Sequence, residues 1–137
     1  MGRRTKAREC AFQILYQWQI TGEPMNAVLE SFWRVRSGTP AARAMAERLA
    51  RGAQAQAAAL DSQIAEAATH WRIDRIAPVD RTILRLGAYE LAQEKQTPAA
   101  VVLDEAVELA KRFGEADSPA FVNGVLDAIR RRVRPQA

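Results

Sequence analysis

The chain contains one cysteine, Cys10, and one histidine, His70. A lone thiol excludes any intrachain disulfide and points to a reducing compartment. The same scarcity leaves no ligand set for a structural zinc cluster within one chain. Long apolar runs are missing, and no stretch approaches the length of a membrane span. The opening MGRRTKARECAFQILYQW does not read as a secretory signal, because Gln13, Gln17 and Gln19 interrupt it and no small-residue cleavage site follows. Position 6 is lysine where an N-terminal lipidation motif wants serine or threonine. A cytoplasmic protein is the expectation. Nucleophile elbow, phosphate loop and Gly-rich cofactor loop are all absent, so neither a catalytic centre nor a cofactor is expected. Strictly alternating apolar residues, the mark of half-buried strands, are absent too.

What is present suffices for one folded domain over residues 1–137, with 48% hydrophobic residues. Charge is less balanced. Twenty Lys and Arg against sixteen Asp and Glu give a formal net charge of +4, and the sequence pI is near 9.8. Such a surplus suits a polyanionic partner without saying which.

The punctuation is that of an all-α protein. Pro24, Pro40, Pro78, Pro98 and Pro119 each precede a helical-looking run, where a missing N–H costs nothing. Thr39, Thr97 and Ser118 stand directly before three of them as candidate N-caps, and Gly22, Gly38 and Gly114 fall where runs end. Helices are expected at 3–21, 24–36, 40–69, 79–95, 98–113 and 119–133, with a short turn across 70–76. At some 30 residues the third run is long enough to break. Gly52, near its apolar stripe, would let another helix approach closely. The stretch THWRIDRIAPVD is the natural joint between two halves, roughly 1–69 and 70–137.

The first helix separates into faces when drawn at about 100° per residue. Ala7, Ala11, Ile14, Leu15 and Trp18 form the core stripe. Arg4, Arg8, Phe12 and Tyr16, at four-residue intervals, form a ridge beside it. Guanidinium groups on such a ridge can take phosphates, and its rings offer faces to unstacked bases. The simpler alternative is a solvated basic first turn with Phe12 and Tyr16 packed on a neighbouring helix. The pattern leaves both open. Arg130, Arg131, Arg132 and Arg134 at the other end of the chain either favour a helix dipole or extend a basic surface. Glu90 falls on the apolar face of its helix and needs a partner there, an arginine by preference.

Four stretches occur in order from near residue 3 to near residue 128: RRTKARECAFQILYQWQ, VDRTILRLGAYEL, VVLDEAVELAKRFG and DSPAFVNGVLD. Together they resemble the NusB family of transcription antitermination factors, whereas residues 22–70 carry little of the likeness. The resemblance implies two small helical bundles packed into one compact domain. It also implies a protein without catalytic activity that binds boxA-type single-stranded RNA with the small-subunit ribosomal protein NusE, in the transcription elongation complex. The family's arginine-rich first helix is matched by Arg3, Arg4, Lys6 and Arg8; lysine in that run supplies a point charge rather than a bidentate fork. By the same resemblance Tyr16, Phe113, Asp117 and Phe121 belong to the RNA surface, and Asp80, at a helix start, lies near the NusE interface. On residue pattern alone Phe113 sits on an apolar face and Phe121 at a stripe margin, and Asp117 is equally suited to capping the last helix beside Ser118. Two other readings fit the residues: the RNA-recognition module of an rRNA methyltransferase with a NusB-like domain, and a protein-binding helical adaptor.

Overall fold

A computed structural model describes residues 2–137, and every regular element among them is helical. The order is α1 Arg3–Thr21, α2 Met25–Val35, α3 Pro40–Ala55, α4 Ala57–Ala67, a 3-10 turn Ile73–Arg75, α5 Pro78–Gln93, α6 Ala99–Phe113 and α7 Ser118–Val133. Pro40 and Pro78 take the first helical position. Thr39 caps α3, its hydroxyl accepting from the Ala42 N–H at 3.1 Å. Gly22 ends α1 at φ 71°, a left-handed conformation that spares the last turn an orphan carbonyl by bonding back to Trp18.

The long third run breaks at Gln56, and its two parts share α5 but differ in their other partner. In α3, Ala46, Leu49, Ala50 and Ala53 are buried, and the helix packs on α1 and α5. In α4, Leu60 and Ile64 turn to α5 and α7 instead. Gly52 does permit a close approach: a Cβ there would lie 2.2 Å from the Tyr89 ring of α5.

Helix α5 is the hub, packing against α1, α3, α4, α6 and α7. Every residue from Thr82 to Leu91 is buried, two charged ones included. Arg85 makes a two-pronged pair with Asp61 of α4, both contacts at 2.7 Å, and donates to the Gln19 side-chain oxygen of α1 at 2.7 Å. Glu90 meets the arginine its position called for. The Nε of Arg8 in α1 lies 3.0 and 3.1 Å from its two oxygens. Arg8 Nη1 also reaches Glu105 of α6 at 3.1 Å, and the Thr5 hydroxyl donates to the same oxygen at 2.7 Å. One buried guanidinium thus ties α1 to both α5 and α6. Burial still pushes the Glu90 carboxyl above its ordinary range, although Arg8 pulls it back.

The end of α5 is closed from α7. Arg134 donates to four main-chain carbonyls, those of Glu90, Leu91, Glu94 and Thr97, at 2.6–3.1 Å. Three of them belong to the last turn of α5 and its cap; the Glu90 and Glu94 carbonyls also accept from the Glu94 and Thr97 N–H groups, so Arg134 adds a second donor there.

Removing Arg8 leaves two carboxylates without their shared cation, so Arg8→Ala is expected to cost about 3–5 kcal/mol in chemical denaturation. Replacing Arg8 by Met and Glu90 by Leu together should recover most of that loss. If the double variant is no more stable than Arg8→Ala, the ion cluster is not what α1 depends on.

Candidate nucleic-acid interface

Burial divides the cations of α1. Arg3, Arg4 and Lys6 are exposed, and among the described residues none has a carboxylate within 4.0 Å. Arg8 corrects the expectation that it meets RNA. It is 3% exposed, and its guanidinium is committed to Glu90 and Glu105. Residue 8 lies on the side of α1 where α5 and α6 close in, so a cation there becomes an internal counter-charge. Phe12, expected on the same ridge, is likewise buried.

Further along, the ridge keeps an open end. Tyr16 is partly buried, with its ring stacked at 6.0 Å on Phe12. Phe12 in turn meets Phe113 at 4.9 Å, and the Arg112 guanidinium lies 5.3 Å from the Phe113 ring centre. Phe113 is therefore a core-edge residue: packed against the interior yet incompletely covered. Arg112 also pairs with Glu9, holding the end of α6 against α1.

Four residues on, the loop after α6 turns into a second locus. Asp117 occupies the N-cap position of α7, but its side chain caps nothing. Ser118 takes a nearby donor instead, its hydroxyl accepting from the Glu115 N–H at 2.9 Å. The Asp117 carboxylate is exposed. It shares a cleft of about 220 Å³ with Asp80, Glu115, Phe121, Trp71 and Arg75. Phe121 and Trp71 form an edge-to-face pair at 5.7 Å on its wall. Asp80, assigned from sequence to a protein partner, thus stands beside two residues assigned to RNA. It is 8% exposed, and its Oδ1 has no hydrogen-bond partner. Burial pushes its carboxyl up; the Ser118 hydroxyl offsets part of this, and Asp117 and Glu115 add like-charge repulsion.

The C-terminal arginines do not extend the basic surface of α1. Arg130 and Arg131 pair with Asp127, Arg132 with Glu66, and Arg134 is the carbonyl clamp. Sequence reasoning missed Glu115 and Arg75 as neighbours of Asp80. Trp71, on the wall of this cleft, is 55% exposed. The convergence depends on the packing of the 70–77 segment beside α7, which no local pattern announces. Among the described residues no three His, Cys, Asp or Glu side chains are placed to hold a metal ion, and no helix is long and apolar enough to cross a membrane.

Comparison with known proteins agrees with this architecture. The sequence model of the NusB family matches residues 5–131. Over 129 residues the chain is 49% identical to the transcription antitermination protein NusB of Sorangium cellulosum, covering 94% of this chain and 92% of that one. Its fold is similar to that of NusB from T. maritima, with a TM-score of 0.88 and 34% identity over 99% of this chain and 95% of the other. A chain from a crystal structure of the antitermination factors NusB and NusE in complex with double-stranded RNA matches with a TM-score of 0.88 and 32% identity, over 96% and 98% of the two chains.

The acidic cleft can be tested without any ligand. A carboxyl whose folded pKa lies above its unfolded value binds its proton more tightly in the native state. It therefore subtracts stability as pH rises from the unfolded pKa through the folded one. Asp80→Asn is accordingly expected to raise the melting temperature relative to the parent at pH 7, with the difference vanishing at about pH 3. A gain that is the same at both pH values would mean that burial of the Asp80 charge is not its origin.

Proposed function

The chain belongs to the NusB family, and on that premise we propose that it is an RNA-binding transcription antitermination factor acting with NusE. It takes up boxA-type single-stranded RNA within the transcription elongation complex, works in the cytoplasm and carries no catalytic activity of its own. One observation carries this reading. Three exposed cations at the start of α1 have no carboxylate in reach among the described residues, and they share that helix with a partly open aromatic ring. Nearly all the C-terminal cations, by contrast, are spent on internal pairs.

Arg3, Arg4 and Lys6 take phosphates, and Tyr16 and Phe113 offer ring surface to unstacked bases. A carboxylate repels phosphate, so Asp117 accepts hydrogen bonds from base N–H groups or sets an upper limit on affinity. Phe121 supplies the apolar wall next to it. Asp80 belongs to the partner-binding side. The adjoining acids Glu115 and Asp117 make that side suited to a cationic group of a protein partner. RNA and protein partner would then meet along the α6–α7 corner. Support for that pairing comes from the structural relative in which NusB and NusE were captured together with RNA.

Binding of a boxA-type strand and of a scrambled strand, each with and without NusE, tests the reading. Preference for the first is expected, and its absence under both conditions would sink the function proposed. On a single strand each neutralised phosphate contributes about −0.7 to the slope of log K against log salt. Changing Arg3, Arg4 and Lys6 to Gln should therefore flatten that slope by roughly two units while leaving the melting temperature unchanged. Tyr16→Ala is expected to cost about 1–3 kcal/mol of affinity for single strands, where bases are free to stack. It should have little effect on duplex RNA, and an equal loss for both would assign Tyr16 to packing alone.

A further inference from the structure

A second groove flanks α1. It lies between the first turns of α1, the end of α2 and the loop leading into α3, and encloses about 530 Å³. Arg3 and Lys6 line it from α1, Arg36 and Trp33 from the end of α2, and Gly38 and Thr39 from the loop. The cations on its rim are uncompensated. Arg36 donates to the Gln13 side-chain oxygen at 2.5 Å and lies 3.8 Å from the Cys10 sulfur, both neutral groups. Among the described residues, no carboxylate lies within 4.0 Å of Arg3, Lys6 or Arg36. Glu9, the one acid on the lining, is engaged by Arg112.

The groove is also held in shape. The Arg36 guanidinium lies 5.2 Å from the centre of the Phe32 ring, which with Gln13 fixes its plane. Trp33 forms part of the wall, braced by the Arg43 guanidinium at 4.9 Å from its ring. The indole Nε1 of Trp33 has no hydrogen-bond acceptor. The braced Arg36 fork, the exposed cations of Arg3 and Lys6 and an aromatic wall form a site for an anion with several acceptor oxygens attached to a planar group. On the α1 surface Lys6 and Tyr16 are ten residues apart, about 15 Å along the axis and some 80° around it. One strand crossing α1 obliquely would meet both.

We propose that this groove is a second RNA-contact site, in which Arg36, with Arg3 and Lys6, holds a phosphodiester of the same single strand that lies against Tyr16. The proposal rests on the RNA-binding reading above and adds to it a contact from residues 33–39, outside the stretches that carry the family resemblance. Its consequence is a longer footprint, reaching from the α6–α7 corner over α1 to the α2–α3 loop.

The test compares Arg36→Gln, Arg36→Lys and, as a control of equal charge change outside the groove, Arg51→Gln, in binding a single-stranded boxA-type RNA over a range of salt. Arg36→Gln should flatten the slope by about 0.7, so that a fourfold rise in salt costs it about 2.6-fold less affinity than the parent. Arg36→Lys, which keeps the charge, should retain the parent slope, as should Arg51→Gln. Equal flattening by Arg36→Gln and Arg51→Gln would reveal only the general field of the protein and overturn the site. An Arg36→Gln slope equal to the parent's would overturn it too. If the Arg3, Arg4 and Lys6 variant still flattens in that case, the RNA-binding reading stands without the groove; if it also fails to flatten, that reading falls as well. Amide shifts at Gly38 supply a further arm. Shifts with inorganic phosphate but none with RNA, at matched ionic strength, would make the groove a free-anion site and overturn its assignment to RNA.

Discussion

The packing of this protein turns on one buried guanidinium shared by two carboxylates. Arg8 sits in the second turn of α1, Glu90 near the end of α5 and Glu105 in the middle of α6. Neither Arg8 nor Glu90 would be tolerated alone at that depth, because the cost of leaving water is recovered only by the partners. Together they hold three helices at a defined rotation. Rotation is what matters for the surface: with Arg8 drawn inward, Arg3 and Lys6 are carried outward on the other faces of the same two turns, while Arg4, on the ridge of Arg8 but one turn earlier, stays exposed at the helix start. The cation removed from the solvent side therefore orients the three that stay there.

Charge is then distributed in a way the net value of +4 does not reveal. Arg3, Arg4 and Lys6 at the start of α1 and Arg36 just after α2 hold positive charge with no carboxylate within 4.0 Å among the described residues. The corner between α6 and α7 holds three acids around an aromatic pair. A polyanion is attracted to the first region and repelled from the second unless its base edges, rather than its phosphates, face that corner. On the function proposed above, the arrangement would orient an RNA strand and leave the acidic corner to a partner carrying the opposite sign.

Much of this was legible in the sequence, for stated reasons. Proline and glycine punctuation marked most helix borders to within a residue or two, since the underlying preferences are local; the break at Gln56 inside the run expected over 40–69 carries no such mark. Glu90 was recognisable as a carboxylate in need of an arginine because its helix face is otherwise apolar. Arg8 was misplaced for the complementary reason. A helical wheel gives the angle of a side chain but not which neighbour arrives there, and the neighbours that arrive are 82 and 97 residues distant. Both halves of the ion pair were visible and their pairing was not. The cleft joining Asp80, Asp117, Phe121 and Trp71 was hidden in the same way, as was the groove at Arg36 and Trp33. Each is assembled from segments whose local patterns are unremarkable.

The distance along the chain between Arg8 and its acids also bears on how the protein is made. The arginine leaves the ribosome early, on a ridge beside the apolar stripe, and must stay hydrated until α5 and α6 have followed it. The Arg134 clamp comes later still, 37–44 residues after the carbonyls it binds. Neither half of the chain can reach its final packing while the other is missing. Assembly is thereby weighted toward a late, concerted closure, slower than the local contacts of a helical protein would otherwise permit.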